Sequence, residues 1–134
     1  MVREMALGVV GLALIGVSAC SSGSGGSKGS SPLAVLMNEL DGTIDKDVGA
    51  VLKDQAVDWG RLVPLAQRYA EITAQVSRNP PPKGSVESWG QLSSAFAVNG
   101  RRLHDAVQIH DRNEAYEAWN DLHRSCVKCH QTHR

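Results

Sequence analysis

From Pro32 to Arg134 the apolar residues recur every three or four positions, and no segment of any length alternates apolar with polar. This period constrains the fold most, because it gathers apolar groups on one face of a helix and would scatter them across both faces of a strand. The first stripe starts at Pro32, a residue favoured at the opening of a helix, and runs through Leu33, Leu36, Met37, Leu40, Ile44, Val48 and Val51. Gly42 and Gly49 weaken it by about 1 kcal/mol each relative to alanine. The second starts near Asp58, an N-cap, and carries Leu62, Val63, Ala66, Tyr69, Ala70, Thr73 and Val76. Pro64 either kinks this helix or marks its true first turn. Asn79 to Gly84 reads NPPPKG and breaks the chain. The third helix opens near Ser85 or Ser88 and carries Trp89, Leu92, Phe96, Leu103, Ala106 and Val107. In the fourth, Asp111 stands three residues before Glu114, as in a capping box. Its stripe runs through Ala115, Ala118, Trp119 and Leu122 into Cys126, Cys129 and His130. Four amphipathic helices of about 20 residues with mostly short connections predict an all-α fold, an antiparallel four-helix bundle.

The end of the last stripe carries chemistry. Cys126-Val127-Lys128-Cys129-His130 is a CxxCH run, the attachment sequence of a c-type haem. Two thiols three residues apart suit thioether bonds to the two vinyl groups of one haem, and the adjacent histidine reaches the iron from the proximal side. On a helix the three residues stand at i, i+3 and i+4 and share a face. One covalent haem c near the C-terminus is therefore expected, with Cys126, Cys129 and His130 as its binding residues and His130 on the metal. A zinc site would want four tetrahedral ligands, for which His123 or His133 are available, but neighbours such as Cys129 and His130 rarely ligate one ion comfortably. A thioredoxin-like CxxC needs a βαβ context, which this sequence lacks.

The N-terminal part points to the compartment in which such a haem is attached. Residues 1–19 read as an export signal: Arg3, offset by Glu4, precedes an apolar run of about 15 residues, shorter than the roughly 20 that span a bilayer. Val17-Ser18-Ala19-Cys20 resembles a bacterial lipobox, which implies that Cys20 is lipidated; the alternative is an ordinary cleaved signal with a chance cysteine. Acyl chains on Cys20 would anchor the protein stably to a membrane, on the periplasmic side. Ser21 in place of aspartate weakly favours the outer membrane. Three cysteines then divide as one for lipid and two for haem, leaving no disulfide. Residues 20–31 form a Ser/Gly linker with an r.m.s. span of about 20 Å, and residues 32–134 are one domain. Formal net charge is zero and no basic stripe is present, which disfavours nucleic acid as a partner.

CxxCH on the last of four helices resembles the class II cytochromes c, the cytochrome c′ family. Members commonly end C-x-x-C-H-x-x-aromatic-Arg; here the run is Cys126, Cys129, His130, His133 and Arg134, with histidine in the aromatic place. Trp89 and Phe96 fall where the family's third helix carries aromatics. The resemblance implies that Arg134 lies close to the haem, near a propionate or His130. It also divides the distal side of the iron between two branches. An apolar residue of the first helix blocks it in the five-coordinate branch, and a methionine of that helix binds it in the low-spin branch. Val35-Leu36-Met37 is similar to the low-spin arrangement, with Met37 as the distal ligand; otherwise Met37 fills the core. Met/His ligation favours electron transfer. The expected function is that of a membrane-tethered electron carrier, not an enzyme, serving redox partner proteins. The alternative is a five-coordinate haem protein that binds NO or CO, and a third option is a non-haem metal-binding lipoprotein. Family members often dimerise through their first two helices, so a homodimer is a further expectation. His104, His110 and His123 are expected at exposed or edge positions, with His104 the one that projects from a facing helix.

Overall fold

A computed structural model describes residues 31–134. The expected signal segment, Cys20 and the linker up to residue 30 lie outside the described residues. Four helices account for the described chain, and no strand occurs within it. No helix among these residues is long and apolar enough to cross a membrane.

Helix α1 covers residues 32–53 in three parts: Pro32–Glu39, a π-helical stretch Leu40–Ile44, and Asp45–Lys53. Ser31, assigned by sequence to the linker, is its N-cap: the hydroxyl accepts from the Ala34 amide at 3.2 Å, with Pro32 in the first turn. Helix α2 is Trp59–Val76, capped by Asp58, whose carboxylate accepts from the Arg61 amide at 3.0 Å. It runs through Pro64, so the first-turn alternative is set aside. Helix α3 is Val86–Gln108 and helix α4 is Arg112–His133. Ser85 is the cap of α3, and Asp111 caps α4 through the Glu114 amide at 3.0 Å. Glu114 does not close the reciprocal half of a capping box; its side chain pairs with Arg102 of α3 instead.

The α3–α4 connection is short because one motif ends a helix and starts the next. His110 adopts φ +57°, the left-handed conformation of a Schellman end, and the Asp111 amide reaches the Ala106 carbonyl at 2.9 Å. His110 stacks on Trp59, with ring centroids 4.7 Å apart.

The four stripes share one core. It contains Leu36, Leu40, Ile44, Val48, Val51 and Leu52 from α1, and Leu62, Ala66, Tyr69, Ile72 and Val76 from α2. Helix α3 adds Trp89, Phe96, Leu103, Ala106 and Val107, and α4 adds Ala115, Ala118, Trp119 and Leu122. Helix α3 lies along both α2 and α4. Gly100 permits the first approach: a Cβ there would stand 2.1 Å from the Thr73 hydroxyl. Gly49 permits another, since a Cβ would stand 2.5 Å from the Trp119 ring. The sequence treats Gly49 only as a weak point of α1; in the fold it is the seat of an indole.

Helix α1 meets its neighbours unevenly. Asp45–Lys53 approaches both α2 and α4, whereas Pro32–Glu39 approaches α2 and makes no close backbone contact with α4. Arg112 at the start of α4 fastens the far end by donating to the carbonyls of Leu52, Asp54 and Gln55. The first two turns of α1 are held to α2 by Arg68, which grips Glu39 with two bonds of 2.7 Å. The helices thus separate toward the N-terminus of α1 and the C-terminus of α4, leaving a cavity between them.

Candidate functional site

The cavity has a volume of about 580 Å³. The end of α4 supplies one wall through Cys126, Cys129, His130 and Arg134. Leu33, Met37 and Leu40 of α1 line it as well, and Trp89 and Phe96 of α3 contribute aromatic surface. The sequence-predicted residues Met37, Cys126, Cys129, His130 and Arg134 therefore meet at one cavity. Cys126 and Cys129 are half-buried, as is Met37, while His130 and Arg134 are exposed at its edge.

Both thiols are in a poor setting for ionisation. Burial, then the nearby Asp45 carboxylate and Cys129, pushes Cys126 up to about 12, and burial also raises Cys129. They are neutral thiols at neutral pH, unlike the activated thiolate of a CxxC oxidoreductase. Among the described residues no three His, Cys, Asp or Glu side chains converge in a group that would hold a metal ion by themselves. A cofactor held here would combine attachment to two thiols with ligands from opposite directions in sequence, His130 of α4 and Met37 of α1.

His133 is buried. Its ring packs edge-on to Trp89 at 5.3 Å. Its Nδ1 donates to the Lys83 carbonyl at 2.7 Å, and its Nε2 lies 3.1 Å from the Ser88 hydroxyl. Gly84, with φ +82°, leaves room for that ring, since a Cβ would come within 2.9 Å of Nδ1. The imidazole thus does an aromatic residue's packing and also ties the NPPPKG loop to the last turn of α4. Trp89 completes the clasp by donating from Nε1 to the Asn79 carbonyl at 2.6 Å.

The remaining histidines separate. His104 bonds Asp105 and Gln108 on its own helix and does not line the cavity, and His110 stacks on Trp59. His123 does line the cavity, and it belongs to a cluster that sequence reasoning missed. Asp45, at the end of the π stretch, accepts on Oδ1 from the Tyr69 hydroxyl at 3.1 Å and from Trp119 Nε1 at 3.0 Å. Its Oδ2 lies 2.9 Å from His123 Nε2, and His123 Nδ1 donates to the Trp119 carbonyl at 3.1 Å. Burial, and then Asp45 and Cys126, pushes the Tyr69 phenol well above its ordinary value, so Tyr69 remains a donor. The available signal was an aspartate following a glycine-containing segment of an apolar helix. Its partners lie 24 to 78 residues away, which no local pattern reveals.

Comparisons with protein-family models, curated proteins and solved structures find no match to this chain.

Proposed function

We propose that this protein is a membrane-tethered monohaem c-type cytochrome that carries electrons, an antiparallel four-helix bundle similar to the class II cytochromes c. One observation carries the reading: the CxxCH residues of α4 and Met37 of α1 line the same largely apolar cavity. The residues suit the group. Cys126 and Cys129 would hold the porphyrin edge, His130 would bind the iron from the proximal side and Met37 from the distal side. The apolar lining from α1 and α3 would exclude water, and Arg134 at the rim would face a propionate. Haem, when bound, supplies a one-electron ferric/ferrous couple, which Met/His ligation tunes toward transfer. With Met37 and His130 both holding the group, no position on it would be left open for a substrate. The neutral thiols and the uneven packing of α1, which keeps the cavity open beside CxxCH, agree with this assignment.

A lipid on Cys20 would hold the carrier on the periplasmic side of a membrane, within reach of redox partner proteins. Leu33 and Leu40 line the cavity with Met37. If one of them instead of Met37 faced the iron, the protein would be a five-coordinate binder of NO or CO.

Absorption spectra of the matured protein test the reading. Covalent haem after denaturing electrophoresis, low-spin spectra in both oxidation states and no prompt CO binding are expected. High-spin spectra with rapid CO binding would replace the carrier by the gas binder, and absence of covalent haem would overturn both. Met37→Ala is expected to convert the iron to high spin; an unchanged spectrum would remove Met37 from the ligand set.

A further inference from the structure

His123 and Asp45 form a proton site whose contents follow from geometry. The Trp119 carbonyl can only accept, so His123 Nδ1 carries a hydrogen. Asp45 Oδ1 already accepts twice, and its Oδ2 lies 2.9 Å from His123 Nε2. A hydrogen bond across that gap needs one more proton, on Nε2 or on Oδ2. Either way the pair is neutral when the proton is present and carries one negative charge when it is absent. The pair lines the cavity that we assign to haem, and the His123 side chain is 44% exposed against 20% for Asp45.

We infer that the Asp45–His123 pair is a proton-binding site coupled to the electron held in the cavity, so that the protein takes up a proton as it is reduced. The inference rests on the haem reading. A one-electron donor protein supplies one electron, solvent supplies one proton to the pair, and oxidation releases both. The sign follows from Coulomb attraction: an added electron makes the cavity more negative and the pair hold its proton more tightly. The other titratable or charged groups around the pair come from three sides. Tyr69 of α2 donates to Asp45, Asp41 of α1 lines the same cavity, and Cys126 of α4 stands three residues past His123. Lys53 sits 4.9 Å from the centre of the Trp119 ring. Tyr69 stays protonated, and Cys126 has no thiol proton to lose once it is a thioether. Besides the pair, Tyr69 and the two cysteines, the titratable or charged side chains that line the cavity are Asp41, His130, His133 and Arg134.

The midpoint potential of the loaded, full-length protein, measured spectroelectrochemically between about pH 5 and about pH 8, tests this. The wild-type potential should fall as pH rises. Asp45→Asn keeps every hydrogen bond, because the amide nitrogen donates to Nε2 and the amide oxygen accepts from Tyr69 and Trp119. It removes the extra proton and leaves the site neutral. Its potential should be nearly independent of pH and should match the wild type at the acid end. His123→Gln leaves the carboxylate charged throughout, so its potential should also be flat but should match the alkaline end. In the reduced wild type, the His123 ring signals by NMR should titrate at higher pH than in the oxidised protein. A wild-type slope that survives both substitutions, with haem and spin state intact, would overturn the proton site and leave the carrier standing. Loss of covalent haem from the wild type itself would overturn both.

Discussion

Gly49 and Gly42 sit seven residues apart on one helix and answer opposite physical demands. A methyl group at Gly49 would press into the Trp119 ring, while at Gly42 it meets nothing within 4 Å. Gly49→Ala should destabilise the protein by about 1–3 kcal/mol through overpacking, despite a helix-propensity gain of about 1 kcal/mol. Gly42→Ala should be neutral or stabilising by up to about 1 kcal/mol. Urea midpoints of the two variants check the contrast, and equal effects would refute the assigned roles. His133→Leu belongs to the same scale. It leaves the Lys83 carbonyl without its donor and removes the contact with Trp89, at an expected cost of about 1–3 kcal/mol. The caps and the CxxCH run are legible in the sequence because each depends on residues within one turn of each other. The roles of Gly49 and His133 are not, because their partners come from other elements.

The element with most influence on the site is α1, through its π stretch. Met37 and Asp45 are eight positions apart, which in a regular helix sets them about 80° apart around the axis. The π stretch takes up one extra residue, so they behave as if seven apart and diverge by only about 20°. This is why a methionine of the apolar stripe and a carboxylate outside it line one cavity. Deleting Gly42 should regularise the helix while both residues keep facing the cavity, so the low-spin spectrum expected of the proposed haem protein should persist. Inserting one alanine beside Gly42 should rotate the first turns by about 100°, carry Met37 away and give a high-spin spectrum. The same spectrum from both variants would refute this use of the π stretch. Periodicity of three and four finds the helix but does not see the inserted residue, since Leu40 and Ile44 remain in phase with it.

At the scale of the molecule, attachment of the proposed haem should change how stability depends on pH. Before attachment the Cys126 thiol is raised in the folded state, from its ordinary 9.0 to about 12. A raised acid stabilises the fold below its unfolded value and withdraws that stability as pH climbs toward its folded value. The haem-free protein should therefore lose stability between about pH 9 and about pH 12. Tyr69 has the same sign, but it is present in both forms, so the additional loss in the haem-free form isolates the thiols. Denaturation midpoints on either side of pH 9 measure it; identical pH profiles in the two forms would remove the thiols from the ledger. Tethering belongs to this scale also. On the proposed lipid anchor, Cys20→Ser should move the protein from the membrane fraction to the soluble one, and continued membrane association would refute that anchor.

The sequence alone determined the all-α character, the order of the four helices and the places where they begin, because apolar period, caps and breakers act over a few residues. It also placed two thiols and a histidine on one helix face. Tertiary structure decided what those residues look out on. The separation of the first turns of α1 from the end of α4 opens the cavity, and the π stretch turns Met37 and Asp45 toward it together. The Asp45–His123 contact across 78 residues then adds a charge-bearing pair to its wall. Such features arise from how whole helices pack, and packing is fixed by contacts between residues that are distant in the chain.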